Sequence, residues 1–110
     1  KVRVGRFPLG ANARAVLGGW EKGFVKIVVD DRWDQVIGVH VVGAGAAELV
    51  SVASLALAVE ATAEELAAVL QAHPTCAEAV GEAAAATRGR SLHFIAPAFP
   101  PDNCAEPPGL

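Results

Sequence analysis

Hydrophobic and polar positions alternate through the first part of the chain, as they do in half-buried β-strands. Val2, Val4 and Phe7 alternate with polar or small residues until Pro8, which cannot donate to a strand ladder. Two β-branched runs follow at residues 23–30 and 35–42, and a polar link at residues 31–34 joins them. Residues 9–21 are rich in glycine and predict a connection with one helical turn. We therefore predict a first strand followed by an antiparallel hairpin.

The second half of the chain is alanine-rich and predicts helices. Residues 46–61 carry Leu, Val and Ala around nearly the whole helical circumference, and their polar side chains are Glu48, Ser51, Ser54 and Glu60. A helix that is apolar on all sides must be covered on most of them. Since one small sheet covers only one side, we expect a second partner surface against this helix.

A capping box predicts the start of the next helix. Thr62 is the expected N-cap and Glu65 lies three residues further on, with Leu66, Val69 and Leu70 as the apolar face. Pro74 disfavours helical geometry at the residue before it, so this helix is predicted to run through Ala72.

A second box, Thr75 with Glu78, predicts a third helix that runs to about Arg88 and ends at Gly89. Residues 91–95 predict a final short strand. Residues 96–110 are proline-rich and predict an extended C-terminal tail.

Composition and charge exclude several classes of protein. The chain has 110 residues, a net charge of −3, 53% hydrophobic residues and 5% aromatic residues without Tyr. This suits one small domain with a core and argues against a nucleic-acid surface, which needs basic patches and stacking rings. The longest charge-free helical stretch, residues 49–59, is about half of the ~20 residues that a membrane span requires. We expect neither a membrane span nor a nucleic-acid partner.

The ends and the cysteines indicate an intracellular piece of a longer protein. The chain begins within a strand-like pattern without Met, and its start lacks the apolar region of a signal peptide. Cys76 and Cys104 lie 28 positions apart without a CxxC motif, which argues against a disulfide scaffold or a zinc site. The expected roles are a small apolar filler for Cys76 and a thiol in a loose tail for Cys104. Both are compatible with a reducing cytoplasm, the expected location.

One glycine-rich motif resembles a nucleotide-binding fingerprint. Residues 43–48, sequence GAGAAE, follow a strand and open a helix, and Glu60 lies near the spacing of a ribose-binding acid. That acid should end a second parallel strand, whereas Glu60 falls at the end of a predicted helix. We therefore expect a tight strand-to-helix turn here and keep nucleotide binding as the alternative.

The segment HPTCAE, residues 73–78, is the second candidate site. Histidine is a residue type suited to proton transfer, and a carboxylate five residues after His73, Glu78, could orient its ring. The alternatives are that Glu78 only caps the helix and His73 is an exposed residue at a break. A metal pair of His73 with Cys76 lacks further ligands, since His40 and His93 are isolated in sequence. A Cys76 nucleophile would be hard to expose in the first turn of a packed helix.

Four segments carry a family resemblance: VGRFPLGANARA, GFVKIVVDD, IGVHVVGAGAAELV and QAHPTCAEAV. Together they resemble the C-terminal dimerisation domain of the pyridine-nucleotide disulfide oxidoreductases, most closely the dihydrolipoamide dehydrogenase branch. The resemblance runs in order from residue 2 to residue 94. It implies an α+β sandwich over residues 1–95, with an antiparallel sheet packed on helices, and pairing with a second copy into a homodimer. The tail, residues 96–110, has no counterpart in it.

The resemblance also implies a function. The His73–Pro74 bond would be cis, His73 would be the acid/base of dithiol–disulfide exchange with a lipoyl substrate, and Glu78 would be its partner. His73 and Pro74 would lie near the FAD of the other subunit, while FAD and NAD would be bound by N-terminal domains rather than by this fragment. Departures from the common pattern are Gln71, Cys76 and Ala44. The alternatives are a pairing module without catalysis or a sister reductase of the glutathione, mercuric or transhydrogenase type.

Overall fold

A three-stranded antiparallel sheet forms one layer of the protein, and helices cover one of its faces. The computed structural model describes residues 1–95. The strands are β1 (Val2–Pro8), β2 (Gly23–Asp30) and β3 (Val36–Gly43), in the spatial order β1-β2-β3. The helices are α1 (Ala13–Gly18), α2 (Ala46–Ala58), α3 (Ala63–Ala68) and α4 (Glu78–Ala86), and a 3₁₀ turn spans Leu9–Ala11. The predicted α+β fold is confirmed.

The predicted hairpin is present, and its period-2 pattern sorts side chains onto two faces. β2 pairs with β1 on one side and with β3 on the other, both antiparallel. Side chains on the inner face of the sheet meet α4 and α2 in one core, whose largest fully buried members are Phe7, Leu9, Val25, Ile27, Val29, Val36 and Val80. No helix within residues 1–95 has the length and apolar character needed to cross a membrane.

Helix α4 approaches β1 so closely that only glycine fits at the contact. A Cβ atom added to Gly5 would lie 2.1 Å from the carbonyl oxygen of Ala83 and 2.5 Å from the backbone nitrogen of Thr87. Both atoms belong to the α4 backbone and its C-terminal turn, so no side-chain rotation could relieve the clash. Gly5 therefore sets the distance between the sheet and the helix.

A buried carboxylate ties the β2–β3 turn to three other parts of the chain. Oδ1 of Asp34 accepts hydrogen bonds from the guanidinium of Arg3 and lies 3.1 Å from Nη2 of Arg88. Oδ2 accepts from the backbone N–H of Glu64 at 3.0 Å, at the start of α3. Burial raises the pKa of Asp34, but these hydrogen bonds together lower it by more. The pKa of Asp34 therefore lies below its ordinary value.

Helix α2 leaves much of its apolar surface uncovered. Leu49, Ala53 and Ala56 are buried on the side that faces β3. Four large apolar side chains of α2 and its C-terminus are 40–64% exposed: Val50, Leu55, Leu57 and Val59. The helix ends at Ala58 rather than Ala61, and Glu60 follows with a φ of 55°. Residues 1–95 do not supply the second covering surface, which stays a prediction.

The capping box of α3 is confirmed, but the length of that helix is not. Thr62 Oγ1 accepts from the N–H of Glu65, whose carboxylate accepts from the N–H of Thr62. The helix ends at Ala68, because Val69 adopts an extended conformation, four residues before the predicted end at Ala72. Val69 and Leu70 are consequently 51% and 98% exposed, and their assignment to the apolar face was wrong. Helix α3 is anchored instead through Leu66, the Thr62–Glu65 capping box and the hydrogen bond from the Glu64 N–H to Asp34.

The predicted strand at residues 91–95 is also wrong. The backbone N–H groups of Leu92 and His93 donate to the carboxylate of Glu82 on α4, at 2.9 and 3.3 Å. A side chain thus satisfies donors that a strand would place in a ladder. Phe94 packs edge-to-face against Phe7 with ring centroids 6.4 Å apart.

Smaller differences concern two other segments. Residues 9–21 contain the 3₁₀ turn and the six-residue α1 rather than one helical turn. Helix α4 begins at Glu78 with Ala77 as its N-cap, not at the predicted Thr75, and ends at Ala86 rather than near Arg88; Gly89 follows with a φ of 67°. The predicted tail, residues 96–110, lies outside the described residues.

We expect Gly5→Ala to destabilise the domain by about 3 kcal/mol, since it forces two backbone segments apart. The matched control is Gly38→Ala, also in a strand, where the nearest atoms to the new Cβ lie 3.7 Å away. Urea unfolding of both variants measures the difference. Equal stabilities would contradict the close approach of α4 to β1.

Asp34→Asn should lower the free energy of unfolding at neutral pH by about 1–3 kcal/mol, because the charged hydrogen bonds to Arg3 and Arg88 are weakened. Asn tolerates the positive φ of 59° at this position, so the backbone is preserved. The loss should shrink on acidification. A carboxylate whose pKa is lowered by folding contributes stability above its ordinary pKa of 3.8, and this contribution disappears as the pH falls through the lower pKa of the folded state.

The control for Asp34 is Asp30→Asn in the same turn, where the carboxylate accepts from the N–H groups of Arg32 and Trp33 and from no other group within residues 1–95. Denaturant unfolding at several pH values gives the comparison. An Asp34→Asn loss that grows as the pH falls would contradict the assigned ion pairs.

Candidate functional site

The HPTCAE segment lies in the irregular connection between α3 and α4. The peptide bond between His73 and Pro74 is cis, as the resemblance implies. Thr75 Oγ1 donates to the carbonyl oxygen of Ala72 at 2.7 Å, which closes the loop on itself. Pro74, which was predicted to lie near a flavin, is the residue immediately before Thr75.

His73 and Glu78 are brought together as predicted. Nδ1 of His73 lies 2.8 Å from Oε1 of Glu78, and the side chain of His73 is 67% exposed. The carboxylate therefore holds one ring nitrogen, and the other nitrogen, Nε2, is the one available to exchange a proton with another molecule. This arrangement suits a general acid or base oriented by a carboxylate.

Glu78 is itself oriented by the backbone at the start of α4. Its Oε2 accepts from the N–H of Thr75 at 2.8 Å, which is one half of the predicted capping box. The other half is absent, because Thr75 Oγ1 bonds to Ala72 instead. The pKa of Glu78 is lowered, first by the Thr75 N–H and also by the hydrogen bond with His73, against a smaller rise from burial. Glu78 is thus the partner of His73 and also binds the backbone of the loop before α4, whereas the predicted cap is absent because α4 has Ala77 as its N-cap and no side-chain cap.

A residue that is distant in sequence, Asn12, anchors the loop. Asn12 is 4% exposed and its Nδ2 donates to the carbonyl oxygen of Thr75 at 3.0 Å. Its Oδ1 accepts from the N–H of Ala15 and so caps α1. Sequence reasoning noted Asn12 within the connection but missed this role. The only local signal was an N-cap residue before an alanine-rich stretch.

Cys76 is a partly buried free thiol that packs against the core just before α4. This agrees with the expected role as apolar filler. Cys104 lies outside the described residues.

A second histidine–carboxylate pair lies along α4. Nδ1 of His93 is 2.7 Å from Oε1 of Glu82, and the side chain of His93 is 66% exposed. Burial raises the pKa of Glu82, but hydrogen bonds from Ser91, Leu92 and His93 lower it below the ordinary value. The expectation that His93 is isolated is therefore wrong. Within residues 1–95, no group of three or more metal-ligating side chains forms. The two residues lie eleven positions apart, so no local spacing indicated this pair.

The glycine-rich segment forms a tight strand-to-helix turn. Gly43 and Gly45 have φ values of 131° and 78°, and a Cβ at Gly43 would lie 2.7 Å from Cδ1 of Leu9. Gly43 thus faces the protein rather than a ligand. The strand before it is antiparallel, and Glu60 follows a helix. This geometry lacks the parallel strands on which the nucleotide-binding alternative depends.

Comparison with known proteins places this domain in a family. The model of the pyridine nucleotide-disulphide oxidoreductase dimerisation domain matches residues 1–84. The dihydrolipoyl dehydrogenase of Bacillus subtilis is 42% identical over 93 residues, which are 84% of this chain and 20% of that protein. The mitochondrial dihydrolipoyl dehydrogenase of Schizosaccharomyces pombe is 47% identical over 95 residues, or 86% and 19%.

A solved structure supports the same assignment. The crystal structure of LpdA from Mycobacterium tuberculosis matches with a TM-score of 0.72 and 36% identity, and the match covers 76% of this chain and 18% of that one. The chain thus spans about a fifth of the length of the curated relatives it matches. Since the family model covers most of the chain, including the cis His73–Pro74 bond and Glu78, the protein belongs to the dimerisation-domain family of the pyridine nucleotide-disulphide oxidoreductases.

Proposed function

We propose that this chain is the dimerisation domain of an FAD-dependent enzyme of the dihydrolipoyl dehydrogenase type. In that enzyme His73 and Glu78 act as the acid/base pair for a lipoyl dithiol bound at the partner subunit. The observation that carries the proposal is the contact of 2.8 Å between His73 Nδ1 and Glu78, on a ring that is 67% exposed. The names of the relatives support the substrate class.

The proton chemistry follows from which ring nitrogen is occupied. Nε2 of neutral His73 accepts a proton from a lipoyl thiol, because the thiolate, not the thiol, attacks a disulfide. The ring then carries a positive charge, which the Glu78 carboxylate stabilises through Nδ1. Since the pKa of Glu78 is lowered by the Thr75 N–H, the carboxylate stays ionised at neutral pH. In the reverse step Nε2 returns the proton.

FAD and NAD belong to the proposal as cofactors of the whole enzyme. The turn at Gly43 and Gly45 packs against Leu9 and does not fit a dinucleotide, so we place both cofactors on other domains. FAD there would supply the electron acceptor for the reduced disulfide and pass electrons to NAD. From this chain, His73 and Pro74 are the residues proposed to face the flavin of the partner subunit.

A homodimer is part of the proposal because the chain leaves a suitable surface uncovered. Leu55 and Val59 at the C-terminal part of α2 are each 64% exposed, and Val50 is 44% exposed. Burying such side chains against a second copy contributes favourable free energy in proportion to the apolar area removed from water. Pairing would also carry His73 to the site of the neighbouring subunit.

In the full-length enzyme, His73→Ala should lower kcat/KM for dihydrolipoamide by about 10²–10⁴-fold, the usual cost of losing a general acid or base. Glu78→Gln should lower it less, because the imidazole remains but its charged form loses the carboxylate. The matched control is His93→Ala, which removes an equally exposed histidine from an equally short carboxylate contact. Steady-state kinetics on the three variants tests the assignment. A near-normal rate for His73→Ala would make that residue structural.

The 110-residue chain alone should show no NADH-dependent reduction of lipoamide, because it holds only the proton-transferring half of the proposed centre. The absorbance decay of NADH at 340 nm is the measurement, with the full-length enzyme as positive control. Turnover by the chain in the presence of free FAD would contradict the proposed division of labour.

A further inference from the structure

The face of the sheet that points away from the helices carries a row of basic side chains. Arg6 on β1 pairs in register with Lys26 on β2, and Lys26 pairs in register with His40 on β3. Cross-strand partners project to the same face, so a guanidinium, an ammonium and an imidazole lie side by side across all three strands. We call these three residues the basic row.

Arg6 in this row has an unmet hydrogen-bonding group. Its guanidinium stacks over the ring of Phe24, 3.7 Å from the ring centroid. Its Nε is buried and has no hydrogen-bond partner. A buried donor without an acceptor costs about 1–3 kcal/mol, so Arg6 lies in an unfavourable position while this face is bare.

The described chain provides no carboxylate for the basic row. None of its three members takes part in a salt bridge within residues 1–95. The acidic residue of the same strand face, Asp30, lies at the turn and accepts from the backbone of Arg32 and Trp33. Like charges at neighbouring cross-strand positions are destabilising, so the row is unfavourable while this face is bare.

The surroundings of the row resemble a protein contact rather than a solvated surface. Val4, Phe24 and Val28 flank it on the same face and are only partly buried. A mixture of aliphatic, aromatic and arginine side chains is typical of the centre of a protein–protein interface. A partner for this face must therefore offer apolar contacts together with carboxylates.

A second copy of the chain is a poor occupant of this face. A twofold interface centred on it would bring the same patch of both subunits together, and so would oppose one basic row to another. The exposed apolar side chains of α2 lie on the helical layer instead and carry no such repulsion. The two layers thus offer different surfaces to different partners.

We propose that the outer sheet face docks onto another domain of the same enzyme, through an acidic surface that pairs with Arg6, Lys26 and His40. This rests on the proposed function, since the relatives are about five times as long as the region they share with this chain. The docked carboxylates neutralise the basic row. The face is therefore an interdomain contact, separate from the one that pairs two subunits.

Amine footprinting of the chain and of the full-length enzyme tests the docking. Acetylation by an N-hydroxysuccinimide ester, read by mass spectrometry, should label Lys26 in the 110-residue chain and be about tenfold slower in the full-length enzyme. Lys22, exposed in the loop before β2, is the internal comparison lysine. Equal labelling of Lys26 in both proteins would overturn the proposal. So would protection of Lys26 that appears in the chain alone as its concentration rises, which would make the occupant a second copy.

A charge reversal gives an independent test with opposite signs. Lys26→Glu relieves the repulsion within the row, so in the 110-residue chain it should raise Tm by about 2–5 °C. In the full-length enzyme the same change faces acidic partners, so it should lower the Tm of this domain. Lys22→Glu is the matched control. A rise in Tm in both proteins would overturn the docking.

Activity distinguishes the two proposals. If Lys26 is protected but the full-length protein does not oxidise dihydrolipoamide, the docking stands and the proposed function fails. If the protein turns over dihydrolipoamide while Lys26 reacts freely, the docking alone is wrong.

Discussion

The close approach of helix α4 to strand β1 is the constraint on which the site depends. At Gly5 a Cβ atom would meet the carbonyl oxygen of Ala83 at 2.1 Å, so the helix rests on the strand without an intervening side chain. This contact positions the whole of α4 above the sheet. Glu78, whose carboxylate orients His73, is the first residue of α4. Its position therefore depends on the contact between Gly5 and the opposite end of the same helix.

Polar contacts then refine what packing has placed. Asn12 holds the loop by the carbonyl of Thr75, and Glu78 holds it by the N–H of the same residue. Both backbone polar groups of Thr75, just before α4, are thus hydrogen-bonded to side chains, and the Asn12 side chain is buried. His73 itself stays largely exposed on this supported loop. A rigid frame around an accessible imidazole is what proton exchange with a separate molecule requires.

The two layers of the domain present surfaces of different chemistry. Helix α2 presents Val50, Leu55 and Val59, which suits burial against another apolar surface. The sheet presents Arg6 and Lys26 among partly buried apolar side chains, which suits a partner with carboxylates. One small fold can in this way pair two subunits through its helices and contact a different domain through its strands.

The sequence by itself determined the hairpin, the Thr62–Glu65 cap and the adjacency of His73 to Glu78, because each depends on alternation or spacing over a few residues. It also revealed the family through the HPTCAE segment. Only the tertiary structure decided the contacts between distant residues: Asp34 with Arg3 is separated by 31 positions, and Asn12 with Thr75 by 63. It also moved the end of α3 to Ala68 and replaced the strand at residues 91–95 by bonds to Glu82. Such long-range contacts compete with the helix and strand preferences of the local sequence. Which of the two decides the structure depends on the side chains that the packed helices bring within hydrogen-bonding distance.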